Sequence, residues 1–260
     1  MIHSTAIIDP SSEIDPSTEI GAYVIIGPHV KIGSDCSIEP HAQICTSVNI
    51  GNNNSIGRGA IIGADPQDLS FKKSTPSKVI IGNGNTIREL VTIHRSIADG
   101  GATLIGDNNL LMAGSHLGHD VSLNNHNIVA NACLLGGHVS VGDRVFLGGG
   151  AVFHQFVKIG NIAMVQGNST ITQDVPPYCT ANGRNCLSGI NIIGLQRSGI
   201  DETIIKDIKR LYKCLFKSDE PFSKVIETLN QREFPESIAI LLKALNNPSR
   251  KGICHPTKNR

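Results

Sequence analysis

Tryptophan is absent from this 260-residue chain, aromatic residues make up only 4% and charged residues only 17%. A core so poor in rings must be filled by Ile, Val and Leu, which suits thin repeating layers better than a thick globular interior. With a formal charge of +1, nothing points to the concentrated basic face that nucleic acid requires. No apolar run approaches the roughly 18 residues of a membrane span. Met1 leads straight into Ile2 with no basic and then apolar opening, so no secretory signal is expected. The seven cysteines (Cys36, Cys45, Cys133, Cys179, Cys186, Cys214, Cys254) contain no C-x-x-C pair and are odd in number. Free, mostly buried thiols in a reducing cytoplasm are the expectation. Glycine, by contrast, is plentiful at 27 residues.

A repeat dominates what is present. Stepping by six from Ile2 meets Ile8, Ile14, Ile20, Ile26, Ile32, Ile38, Ile44, Ile50, Ile56 and Ile62, all isoleucine, and many are followed by Gly. A second train runs Ile81, Ile87, Ile93, then after a gap at Asp99 Ile105, Leu111, Leu117, Leu123, Val129, Leu135, Val141, Leu147, Phe153, Ile159, Val165 and Ile171. Neither a helix nor an ordinary amphipathic strand explains a period of six. Each hexapeptide therefore reads as a short strand with one inward side chain, then a turn where Gly or Asn tolerates unusual backbone angles. Three such units close a triangular coil of 18 residues, and coils stack at about 4.8 Å. Residues 64–79, with Pro66 and Pro76, and residues 96–103, with Gly100 and Gly101, read as loops thrown out from the stack.

The repeat ends near Gln173-Asp174-Val175-Pro176-Pro177, and residues 178–198 look irregular. From Asp201 a helical period takes over: Ile204, Ile205, Ile208, Leu211, Tyr212 and Leu215 share one face, with further apolar faces at 222–229 and 238–245. Pro221 suits the first turn of the second of these helices. The fold expected is mostly β: a parallel β-helix over residues 1–190, then a small C-terminal α-helical domain over 191–260. Residues 1–198 carry 11 Lys/Arg against 14 Asp/Glu, a balance of −3, whereas 199–260 carry 12 against 8, a balance of +4. Lys206, Lys209, Arg210, Lys213 and Lys217 form one stripe at spacings of three and four. Such a stripe is either a solvated face or a dock for an acidic partner.

Residues 18 apart lie on successive coils, so Leu117, Leu135 and Phe153 stack in one column. Beside them fall His116 and His119, then Gly136, Gly137 and His138, then His154 and Gln155, so four of the ten histidines gather on one edge. Zinc is the first chemistry to weigh. Prism-shaped carbonic anhydrases use three histidines, two of them five apart, whereas His116 and His119 are three apart, so no metal is expected. Histidines on turns often only bond backbone, which accounts for His3, His29, His41 or His126. For the cluster, general-base chemistry with substrate hydrogen bonding fits better, because imidazole titrates near neutrality.

Pro66-Gln67-Asp68-Leu69, Thr92-Ile93-His94-Arg95, Asn109-Leu110-Leu111-Met112, His116-Leu117-Gly118-His119-Asp120, Gly137-His138-Val139, His154-Gln155-Phe156, Asp174-Val175-Pro176-Pro177-Tyr178 and Asn191-Ile192-Ile193-Gly194-Leu195-Gln196-Arg197 occur in this order. Together they resemble the acyl-carrier-protein-dependent UDP-N-acetylglucosamine O-acyltransferases that begin lipid A synthesis. The resemblance implies a left-handed coil, a homotrimer, no cofactor, and transfer of a 3-hydroxyacyl chain from acyl carrier protein to the sugar 3-hydroxyl. His119 then matches the general base, Asp120 the carboxylate that orients it, and the Gly137 amide the donor to the thioester oxygen. Asp68, His116, His138, His154 and Gln155 match acceptor- or acyl-contacting positions, and Gly167 matches the residue that limits the acyl channel. Asn191 and Arg197 match the nucleotide end, and the lysine stripe would meet the acidic carrier.

Two positions depart from the family pattern. Ser70 stands where a Lys is common, with Lys72 and Lys73 nearby, and Ser198 stands where a second Arg is common. Both weaken the expected grip on the nucleotide and leave open a 3-amino sugar as the acceptor. A sugar-nucleotide N-acyltransferase would normally carry an N-terminal uridine-binding domain, but Ile2 already starts the repeat. A coenzyme A acetyltransferase would share the prism without these ordered motifs, and a non-enzymatic scaffold would need no histidine edge.

Overall fold

The computed structural model describes residues 1–257. Most hexapeptides form a two-residue strand whose first side chain points out and whose second points in, as in Glu19–Ile20, Ile25–Ile26 and Lys31–Ile32; strands beside the excursions, such as Ile61–Ala64 and Lys78–Ile81, run to four residues. The alternation follows from the period of two along a strand. Every third strand pairs in parallel, giving three sheets of nine, eight and ten strands. The register Ile7↔Ile25, Ile8↔Ile26 and Ile25↔Gln43 fixes 18 residues per coil. The three sheets are the walls of a triangular prism, numbered here by the order in which Ile7–Ile8, Glu13–Ile14 and Glu19–Ile20 open them. Ile26, Ile38, Ile44, Ile56 and Ile62 are fully buried along its axis, while Ile2, on the uncovered first coil, is half exposed. Each buried aliphatic side chain contributes about 1.5–3 kcal/mol.

The turns use glycine differently from the expectation. Apart from Gly63 (φ 84°), the glycines that follow the repeat isoleucines of the first train do not take positive φ; they let the next coil approach. A Cβ on Gly57 would lie 2.6 Å from the Arg88 carbonyl carbon. The left-handed position falls two residues later and is mostly not glycine: Tyr23, His29, Asp35, His41 and Ser47 have φ of 55–65°. This conformation costs roughly 1–3 kcal/mol for a non-glycine residue. The stack over-determines it, since the His41 N–H donates to Ala22 O and the Ser47 N–H to Pro28 O one coil away.

Both excursions leave the stack at the same corner, between the first and second walls. Across the first the register is Ile62↔Ile93, and across the second Ile93↔Leu117, so the chain returns in phase after 31 and 24 residues. Beyond them Leu117, Leu135 and Phe153 are in register. At the corner between the second and third walls, Asn54, Asn85, Asn109 and Asn127 form a buried ladder. The Asn85 amide donates to Asn54 Oδ1 and the Asn109 amide to Asn85 Oδ1, each at 3.0 Å.

Residues 178–198 are ordered where irregularity was expected. Cys179–Asn182 and Cys186–Ile190 pair antiparallel and close the third wall. The chain continues into α1 (Ile192–Arg197), α2 (Glu202–Lys217), α3 (Phe222–Asn230) and α4 (Glu236–Asn246). Pro221 stands just ahead of α3 as its cap residue, not inside its first turn. Ile205, Ile208, Leu211, Val225, Leu229, Leu241 and Leu245 form a second core that includes Ile162 and Tyr178 of the last coils. The tail then returns to the prism: Ser249 donates twice to the buried Asp174 carboxylate, and the Cys254 N–H donates to Asp174 O. Among the described residues no helix is long and apolar enough to cross a membrane.

Candidate active site

The corner that throws out both excursions also carries the histidine edge. The next regular turns there follow His116–Leu117, Leu134–Leu135 and Val152–Phe153, and their left-handed residues are Asp120, His138 and Phe156, with φ of 59°, 60° and 70°. That conformation aims the side chains away from the wall and toward one another. His138 stacks on Phe156 with ring centroids 4.5 Å apart, and meets the His119 ring edge-on at 5.0 Å.

His119 Nδ1 lies 2.9 Å from Asp120 Oδ2, and both side chains are nearly buried, 12% and 13% exposed. Burial pushes the Asp120 carboxyl upward, but hydrogen bonds from Ser96, from His119 and from the Ile97 N–H outweigh it and hold it below the usual carboxylate range. With the carboxylate ionised, Nδ1 carries the ring proton and Nε2 is left as the base. Nε2 faces Gly137 so closely that a Cβ there would stand 2.4 Å from it. Only glycine therefore admits the imidazole. The Gly137 N–H donates to no acceptor among the described residues, so it is available to a ligand oxygen.

His116 turns from this pair toward the first wall. Its Nδ1 lies 2.7 Å from Thr92 Oγ1, its ring meets His94 edge-on at 4.8 Å, and burial lowers its pKa. His94 is 6% exposed and lowered to about 4, first by burial, then by the neighbouring His116 and His119. Sequence reading placed His94 only in a motif, because alternation after the inward Ile93 gives no sign that the next side chain is buried, beside His116 on the outer face. His154 and Gln155 are exposed one coil below His138, with His154 Nδ1 3.2 Å from the Gln155 carbonyl. Asp99, the broken repeat position, is exposed near the tip of its excursion.

Asp68 sits on the first excursion. Its Oδ1 accepts from the Ser70 hydroxyl at 2.6 Å and the Ser70 N–H at 2.8 Å, and these bonds, with the His119 charge, hold its carboxyl low. Ser70 thus fixes Asp68, while Lys72 and Lys73 are exposed nearby. Arg95 anchors the excursion. Buried to 5% exposure, it pairs with Asp65 at 2.9 Å, donates to Thr75 O and Lys73 O, and lies 4.8 Å over the Phe71 ring.

The remaining sequence candidates are elsewhere on the prism. Gly167 is exposed at the corner between the third and first walls, where a Cβ would lie 3.0 Å from Gly149 O. Asn191 caps α1, accepting from the Gly194 N–H and donating to Ile162 O. With Arg197 and Ser198 it lines a groove of about 400 Å³ on the third wall, floored by Ile128, Phe146 and Met164. Arg144, which sequence reading missed, lines the same groove. Among the described residues neither Arg144 nor Arg197 is in an ion pair. One chain therefore does not bring His119 together with Gly167, Asn191 and Arg197: they belong to different edges and walls.

On α2, Lys206, Arg210, Lys213 and Lys217 are exposed, Lys209 is half-buried, and Arg210 pairs with Asp207 at 3.0 Å. His119, Asp120 and His138 bring ligand atoms within 4.8 Å of one another, a grouping that a metal could use. The Asp120 oxygens are already taken by Ser96, Ile97 and His119, so the group stands as a hydrogen-bonded dyad with a flanking imidazole.

Comparison with known proteins gives a consistent result. The family model described as UDP N-acetylglucosamine O-acyltransferase, domain 2, matches residues 174–254. The acyl-[acyl-carrier-protein]–UDP-N-acetylglucosamine O-acyltransferase of Nautilia profundicola is 41% identical over 211 residues, covering 80% of this chain and 81% of that protein. The crystal structure of the Francisella novicida UDP-N-acetylglucosamine acyltransferase superposes with a TM-score of 0.96 at 33% identity, covering 99% of this chain and 95% of the other. LpxA from Acinetobacter baumannii gives 0.92 at 39% identity, covering 98% and 99%. A coil of the opposite hand could not superpose so closely, and the prism is left-handed as in those structures.

Proposed function

The chain belongs to the acyl-[acyl-carrier-protein]–UDP-N-acetylglucosamine O-acyltransferase family and is an acyltransferase, and we propose that it moves a 3-hydroxyacyl chain from acyl carrier protein to the 3-hydroxyl of UDP-N-acetylglucosamine, with His119 as base. In this reading the sugar hydroxyl gives its proton to His119 Nε2 as its oxygen adds to the thioester carbonyl. The Gly137 N–H donates to the oxygen that gains charge. Collapse breaks the carbon–sulfur bond, and the imidazolium returns the proton to the leaving thiolate of the carrier. Asp120 keeps Nδ1 protonated throughout. The observation that carries this is the dyad: His119 Nδ1 is 2.9 Å from Asp120, and Nε2 lies against a glycine with a free N–H.

Asp68, His116, His138, His154 and Gln155 would contact the acceptor or the acyl chain, and Asn191 and Arg197 the nucleotide, where a guanidinium suits a diphosphate. Lys206, Lys209, Arg210, Lys213 and Lys217 would meet the acidic carrier protein. We place the division between prism and helical domain at 190/191, and the enzyme in the cytoplasm at the first step of lipid A synthesis. The separation of His119 from Gly167 and Arg197 supports a homotrimer in which two chains face each other across each site. An exposed apolar stripe, Leu134 and Val152 on the first wall, offers such a contact. Incubation with 3-hydroxyacyl carrier protein and UDP-N-acetylglucosamine should give a mono-O-acylated sugar nucleotide by mass. Acylation only of a 3-amino analogue would move the assignment to an N-acyltransferase.

A further inference from the structure

Asp120 is held by more than the histidine it faces. Its Oδ1 accepts from the Ser96 hydroxyl, its Oδ2 accepts from the Ile97 N–H at 3.1 Å, and its own N–H donates to Thr103 Oγ1 at 2.8 Å. Ser96 and Thr103 are fully buried. All three partners lie on the second excursion or where it rejoins the wall, a segment that looked from sequence like a slack loop. We propose that Ser96 is a positioning residue for the acyl transfer, acting through Asp120 to set the orientation and basicity of His119.

The direction of the Ser96 bond is fixed by its neighbours. Ser96 Oγ already accepts from the Ala98 N–H at 2.9 Å, and the ionised Asp120 offers only lone pairs, so the single hydroxyl proton goes to the carboxylate. The excursion is wrapped tightly around that hydroxyl. A Cβ on Gly101 would lie 2.3 Å from Ser96 Oγ and 2.9 Å from Ala98 Cβ. Two donors from the excursion thus draw charge from the carboxylate: Ser96 on Oδ1, the oxygen away from His119, and the Ile97 N–H on Oδ2, which also faces the ring. Without the hydroxyl, more negative charge would be left for the imidazolium, which favours the protonated ring. The other groups around the dyad are His138, whose Nε2 is 3.9 Å from Asp120 Oδ2, and His94 and Asp68, which interact electrostatically with His119. None of these donates to Oδ1, so none replaces Ser96.

The inference rests on His119 as the base, and its test is chosen to stand apart from that assignment. The His119 ring is titrated by proton NMR in the full-length wild-type protein and in Ser96→Ala, its signal assigned by its loss in His119→Gln. Removing the hydroxyl should move the His119 titration upward relative to wild type. It should also move the acid limb of kcat/KM upward and lower kcat about tenfold with little change in KM. Ser96→Thr, which retains a donor, should restore the wild-type titration. Gly101→Ala, which displaces Oγ without removing it, should shift the ring as Ser96→Ala does, and it serves if that variant does not fold. A His119 titration unchanged in the folded Ser96→Ala variant would overturn the inference, whatever the turnover does.

Discussion

The Asp120–His119–Gly137 contact works only because one of its three members has no side chain. A Cβ at 137 would occupy the space of the imidazole, so the base is set against a free N–H by subtraction. His119→Ala should lower kcat by roughly 10²–10⁴-fold with the fold unchanged, since His119 lies on a turn outside the aliphatic core. Retention of more than about half the activity would assign the base to another histidine. His94 gives a second test at this scale. Its pKa is depressed to about 4, so the neutral ring is favoured by folding. The unfolded chain takes up that proton near pH 6.5, and the folded one only near 4. The stabilisation is therefore complete above pH 6.5 and lost as pH falls toward 4, a change of roughly 1–3 kcal/mol. Denaturant unfolding of wild type and His94→Gln at pH 7.5 and 4.5 should show the gap between them narrowing or reversing at the lower value. A constant gap would mean that His94 titrates alike in the folded and unfolded chains, so that folding does not depress it.

At the scale of elements, α2 separates two jobs by face. Ile205, Ile208, Leu211, Tyr212 and Leu215 are buried, and the basic stripe runs along the other side. Reversing charge at Lys206, Lys213 and Lys217 should leave stability nearly unchanged, because these side chains are exposed. It should raise KM for acyl carrier protein and flatten its salt dependence, since screening acts over about 8–10 Å in ordinary buffers. An unchanged KM would make the stripe a solvated face. Gly167 tests the turns of the third wall. Its φ is not in the left-handed region and its Cβ position is tight only against Gly149 O, so Gly167→Met is tolerable to the coil. Wild type should prefer a chain near fourteen carbons and the variant a shorter one, each two-carbon mismatch being worth roughly tenfold. The same optimum in a series of ten to sixteen carbons would place the ruler elsewhere.

For the whole molecule, one prism holds its candidate groups on walls that face different ways. A substrate touching both His119 and Arg197 needs two chains. His119→Ala and Arg197→Ala should each be nearly inactive alone. Unfolded together and refolded, they should recover about a quarter of wild-type turnover, because in a cyclic trimer one interface in four then combines an intact His119 with an intact Arg197. No recovery, or a fully active monomer in sedimentation, would confine the site to one chain. Arg144 belongs to the same test: it shares the groove with Arg197 and Ser198, and Arg144→Ala should raise KM for the sugar nucleotide without altering that for the carrier protein.

The sequence alone determined the prism, because a six-residue period with one inward aliphatic per unit has few other ways to bury Ile20 through Ile62 and Ile81 through Ile171. It also located the histidine edge, since register within the coils is arithmetic once the period is known. It did not reveal why glycine follows isoleucine, which depends on the distance to the next coil. The antiparallel closure at 179–190 was hidden too, because there the pairing partner is no longer 18 residues away. Only the tertiary structure decided what the two interruptions do. A break in a repeat carries no register, so nothing in the order of residues says that Arg95 would anchor Asp65, or that Ser96 would reach Asp120 across 24 positions. The excursions leave from one corner and fold back over the next turns, and that proximity in space supplies the dyad with the donors that hold it.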